Sequence, residues 1–236
     1  TYWTSTQSYG SRLNPAKSGT LLGRMSSSGT SGQMVGAALA GLVAETMGYG
    51  WAWTGVIALG ALGLAGSSVL PVLPRKDLRR GFKQALAPVP ALARNPSMAM
   101  AGFTAFTAST SMTIAVILLV PYLSELGNGE TTIGLIRTVG SVGSVVIGIV
   151  FGKIVAKTGQ QNLYTSVLTL MGLTMLAIPL AGSGLLALTA LMFSYGTLHG
   201  VLGPLYPLTA STYSTQEQRG MAIAYVGLYW ATAQVA

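Results

Sequence analysis

Two arginines and one histidine lie inside otherwise apolar runs, and their types and spacing are the first sign of chemistry in this sequence. Arg24 and Arg137 each sit about six residues, or ~9 Å of helical rise, from the nearer end of such a run. A guanidinium at that depth either snorkels to the interface or meets a partner inside. Arg24, Ser28 and Ser31 share a helix face at i, i+4, i+7, and Arg137, Ser141 and Ser144 repeat the spacing, with Thr138 beside them. A stripe facing lipid would be apolar, so both faces are expected to meet protein or a water-filled cavity, where forked donors suit a carboxylate or phosphate. His199, the only histidine, falls near the middle of its run with Tyr195 one turn before it; it either packs or carries a proton. Gln33, the stripe Thr104, Thr107 and Ser111, and the polar-tipped group Tyr225, Tyr229, Trp230 and Gln234 complete the candidates for a substrate cavity. The chain shows no phosphate loop, no metal-spaced cluster and no nucleophile with a paired base, so neither an enzyme nor a cofactor or metal is expected.

These residues need elements to hold them, and the composition says which. Half of the 236 residues are hydrophobic and 8% are charged, against roughly 25% charged in ordinary soluble domains. The apolar residues come in runs of the ~20 needed to cross a bilayer as helix. Spans are expected at 50–73, 99–123, 133–156, 163–182 and 185–208, with a further one starting near Gly220 and the tail of another over 1–9. The segment 19–43 is the unusual one: GRMSSSGTSGQMVGAALAG begins like a serine-glycine linker and ends like a membrane helix. The fold class expected is an all-α, polytopic transmembrane bundle. Starting at Thr1 and stopping in an apolar run, the chain is expected to be an internal fragment truncated at both ends. The absence of cysteine leaves no disulfide or thiolate site to argue.

Charge orients the spans, because basic residues concentrate in cytoplasmic loops. Segment 74–97 holds Arg75, Lys76, Arg79, Arg80, Lys83 and Arg94 and is expected inside. Alternating from there puts Glu125 and Glu130 outside, Lys153 and Lys157 inside, Arg219 inside, Glu45 outside, and Arg12 and Lys17 inside. The last step works only if 19–43 crosses the membrane, with its polar half turned away from lipid. Eleven of the thirteen bases, all but Arg24 and Arg137, then fall on one side. The net charge of +8 is therefore a topology signal, and a nucleic-acid partner is not expected.

Sliding the chain so that Gly19 falls on Gly220 also brings Gln33 onto Gln234, an internal echo at about two hundred residues of the kind repeated transporters carry. With the span spacing and the basic loop at 74–97, it resembles the major facilitator superfamily of secondary transporters. In GKIVAKTGQQ, Gly152, Lys157 and Gly159 match that family's loop signature GxxxDRxGRR, while Ala156 replaces the acid and Gln160 and Gln161 the terminal bases. Gly23, Gly32, Gly36 and Gly41 are similar to the glycine pattern of its antiporter signature, with Ala37 at the proline and Ala40 at a glycine; their plainer role is helix packing. STQEQRG, Ser214 to Gly220, is similar to the entry to its eleventh helix.

The resemblance implies a two-bundle architecture. Residues 1–73 would end the first bundle, 74–97 would be the cytoplasmic loop between bundles, and 98–236 would form helices seven to eleven. It also implies alternating access for a small solute, anionic if both arginines line one cavity, in a multi-pass protein of the cell membrane that is monomeric when full length. Alternatives are a seven-helix receptor or sensor, or a truncated piece that does not transport alone. No acid lies deep in any span, so among these residues proton coupling would need His199.

Overall fold

The computed structural model describes residues 2–68 and 86–235, and in them all regular structure is helical. Helices α1 (Tyr2–Leu13), α2 (Ser18–Met47) and α3 (Tyr49–Ser67) precede the undescribed stretch; α4 (Val89–Ala93), α5 (Pro96–Ile117), α6 (Leu119–Glu125), α7 (Glu130–Thr158), α8 (Gln160–Leu180), α9 (Leu185–Thr212) and α10 (Arg219–Thr232) follow it. Arg75, Lys76, Arg79, Arg80 and Lys83, and the end of the 50–73 span, lie outside the described residues.

Local chemistry sets the boundaries. Asn95 caps α5, its Oδ1 accepting from the Ser97 N–H at 2.9 Å, with Pro96 in the first turn where no N–H is needed. The expected 99–123 span is broken at Leu118, because Pro121 has no N–H to offer the Ile117 carbonyl. Gly48 and Gly159 turn the chain between α2 and α3 and between α7 and α8 at φ +87° and +80°, a region that side chains disfavour. Among the described residues four stretches, Pro96–Glu125, Glu130–Thr158, Gln160–Leu180 and Leu185–Thr212, are long and apolar enough to cross a membrane. With 30 residues α2 equals the longest of them, but its first half is serine-rich.

That polar half is matched by α7, against which α2 runs along most of its length. Ser27 Oγ donates to the Val145 carbonyl at 2.9 Å, and Thr30 and Ser144 hydroxyls meet at 3.5 Å. Glycines allow the approach: a Cβ on Gly134 would stand 2.7 Å from the Ala37 carbonyl oxygen, and one on Gly41 2.7 Å from that of Glu130. On its other side α7 presses Gly140 and Gly143 against the α9 backbone at Met192 and Phe193. Close backbone contact is what small residues supply where no water drives helices together.

Phe151, Leu123, Met171, Leu188 and Leu205 fill the main core, and Met98, Tyr206, Ile223 and Val226 form a second beneath α5 and α10. Outward the helices show large apolar side chains, among them Trp53, Ile57 and Leu64 on α3 and Leu176 on α8. Such a surface suits hydrocarbon as solvent and would be an aggregation hazard in water.

Candidate functional site

Between α2, α3, α5, α7 and α9 lies a cavity of about 400 Å³. Its polar wall comes from two helix faces that the glycine contacts bring together. On α7, Arg137, Ser141 and Ser144 line it; on α9, Tyr195 and His199 do. The two backbones touch where Gly196 meets Gly140, so the next turns of both helices open on the same space. From α2 come Thr30 and Gln33, and Met112, Ala115, Met192 and Val56 make the apolar wall. A second cavity of about 290 Å³ runs toward the Glu45 end and shares Ala37, Val56 and Arg137 with the first. Arg137 thus stands where the two meet.

No carboxylate among the described residues pairs with Arg137, although Glu130 and Tyr49 line the far rim of the second cavity. His199 is held between rings, 5.8 Å from Tyr195 and 6.2 Å from Trp230 edge to face. Its Nε2 is buried without a partner. A buried polar nitrogen left unsatisfied beside a cavity is a place where a ligand atom would be welcome. No three His, Cys, Asp or Glu side chains gather into a metal site among the described residues.

Of the polar residues singled out in the sequence, Gln33, Arg137, Ser141, Ser144, Tyr195 and His199 line the cavity. Ser111 stands one step back beside Tyr195, its hydroxyl donating to the Ala108 carbonyl at 2.9 Å, and Trp230 backs His199. Arg24, Ser28 and Gln234 are exposed elsewhere. Ser31 turns its hydroxyl to the Ser27 carbonyl at 2.9 Å, Thr107 is half-buried away from the cavity, and the Tyr229 hydroxyl meets that of Tyr225 at 3.0 Å. Gly32 and Gly36 meet nothing within 4 Å, Gly36 bordering the cavity instead, whereas Gly41 packs. Lining residues absent from the sequence reasoning include Thr30, Met112 and Met192; Thr30, Gln33 and Ala37 do share one face of α2 at i, i+3, i+7, a signal that was available.

Polar clamps mark both ends of the bundle. At one end the Glu45 carboxylate accepts from the Thr131 N–H at 2.9 Å, capping α7 from another helix, and Tyr49 donates to Glu130 at 2.7 Å. The bonds from Thr131 hold the Glu45 carboxyl below its usual range, and the Glu130 acceptor raises the Tyr49 phenol. At the other end Arg219 Nη1 donates to the Ser11 carbonyl at 3.1 Å and Gln7 donates to the Tyr206 hydroxyl at 3.0 Å. There the signature-like loop is a neutral network: Tyr164 donates to Thr209, which donates to Gln160 Oε1 at 3.0 Å, while Gln160 Nε2 reaches Thr212 at 3.4 Å. Gly152 abuts Thr20 on α2, Gly159 makes the turn, and Lys157 is exposed.

The family described as Major Facilitator Superfamily matches the chain over residues 1–236. No curated protein and no solved structure matches it.

Proposed function

Because the chain belongs to the major facilitator superfamily, a family of membrane transporters, we propose that it moves a small organic anion across the membrane by alternating access at the Arg137 cavity. Arg137 carries this reading: a guanidinium with no acid partner among the described residues, shared by two connected cavities inside a helical bundle. An unpaired charge at membrane depth is costly, so an anionic solute that pairs with it gains what the protein itself leaves unmet. The cavity is bounded by α2 and α3 on one side and by α5, α7 and α9 on the other. With residues 1–73 and 98–236 as the two bundles, rocking of one against the other would open the clamps at Glu45 and at Arg219 in turn. The basic loops would face the cytoplasm, the Glu45 end would face outward, and the protein would work as a monomer in the cell membrane with no covalent step.

The experiment is uptake of radiolabelled organic anions into proteoliposomes that hold the protein. Saturable uptake, lost in Arg137→Gln, is expected. Equal uptake by Arg137→Gln removes Arg137 from the site, and no uptake of any anion refutes the transport reading.

A further inference from the structure

What surrounds Arg137 narrows the solute further. We infer that the cavity takes a monovalent organic anion with an apolar body, a monocarboxylate, in preference to dianions and to neutral solutes; this rests on the transport reading above. In the larger cavity Arg137 is the single charged lining residue among the described residues, and Met112, Ala115, Met192 and Val56 face it with hydrocarbon. One carboxylate would satisfy the guanidinium fork in bidentate fashion. Among the described residues a second carboxylate would find no second cation: Arg24 is exposed elsewhere on α2, and Glu130, at the rim of the adjoining cavity, would repel it. Taking an unpaired charge out of water is opposed more strongly than pairing one favours. A sugar or other neutral solute leaves Arg137 unpaired and meets the methionine wall with hydroxyls.

The far end of the cavity adds a polar requirement. His199 Nε2, buried and without a partner, supplies one hydrogen bond beside the Tyr195 ring. The solute so defined has a carboxylate at one end, an apolar middle and room for one neutral polar group at the other. A volume of about 400 Å³ lies within the usual range for small-molecule sites.

The test is calorimetric titration of the purified protein with benzoate, its neutral isostere benzamide and the dianion phthalate, with octanoate and 4-phenylbutyrate as further monocarboxylates. The expected result is that benzoate binds at least tenfold tighter than benzamide or phthalate. Arg137→Gln should erase that preference, Arg137→Lys should retain part of it, and the exposed Lys153→Gln should change nothing. Phthalate or benzamide binding as tightly as benzoate overturns the inference, as does a preference that survives Arg137→Gln, or the absence of binding by all three monocarboxylates. Because the first comparison uses the unaltered protein, a variant that fails to fold does not remove the test. Tight benzoate binding without uptake into proteoliposomes overturns the transport reading and leaves the substrate class standing; uptake confined to divalent anions does the reverse.

Discussion

Adding one methyl group at Gly134 should loosen the α2–α7 seam from the cavity outward. A Cβ there would lie 2.7 Å from the Ala37 carbonyl oxygen, while ordinary contact begins at about 3.4 Å, so the helices must part by about 0.7 Å. The obstacle is backbone on both sides, which leaves no rotamer to give way. One turn on, Thr138 Oγ1 donates to the Met34 carbonyl at 3.2 Å and would be drawn beyond bonding range; one turn before, the Glu45 to Thr131 bond would stretch as well. Overpacking costs about 1–3 kcal/mol, and a weakened hydrogen bond adds ~0.5–1.5 kcal/mol. Gly134→Ala should therefore destabilise by about 2–4 kcal/mol. On the scale of 2–4 °C per kcal/mol, the midpoint of thermal unfolding should fall by roughly 4–16 °C. The assay is tryptophan fluorescence of the detergent-solubilised protein during heating, compared with Gly172→Ala on α8, where a Cβ meets nothing within 4 Å. That control should be neutral or gain a few tenths of a kcal/mol from helix propensity. Equal midpoints for the two variants would refute the close-approach argument.

Three further outcomes can be checked. The Glu45 carboxyl is lowered by its bonds from Thr131, so its contribution is complete above the ordinary carboxylate range and is lost as pH falls through the lowered value; unfolding midpoints from pH 6 to pH 3 should drop in the unaltered protein and drop less in Glu45→Gln. Since the sequence has no cysteine, single substitutions report topology directly: in intact cells a membrane-impermeant maleimide should label Glu125→Cys and not Lys157→Cys, and the reverse pattern would invert the orientation proposed. Removing one hydroxyl by Tyr164→Phe should cost ~1 kcal/mol, as Thr209 keeps its bond to Gln160; a larger loss, seen in the same heating assay, would mean the neutral network does more than pair four polar side chains.

The sequence by itself determined the class of molecule and the position of its helices. Runs of apolar residues fixed 133–156 as Glu130–Thr158 and 185–208 as Leu185–Thr212 to within a turn, because hydrocarbon selects residues by composition along the axis. The break at Leu118 within the expected 99–123 span was not foreseen, although its cause is local, the N–H that Pro121 lacks. Azimuth is what tertiary structure decided. Arg24 and Arg137 stand at equal depth with the same i, i+4, i+7 serines, yet Arg137 lines the cavity and Arg24 is exposed elsewhere. The glycines divide likewise. Gly134 and Gly41 close the seam with backbone against backbone, while a Cβ on Gly32 or Gly36, in the same helix as Gly41, would meet nothing within 4 Å. A helix presents its residues every 100° to whatever stands beside it, and a neighbour's identity follows from packing across more than a hundred residues of chain. Spacing alone names a face; only the assembled bundle says what that face meets.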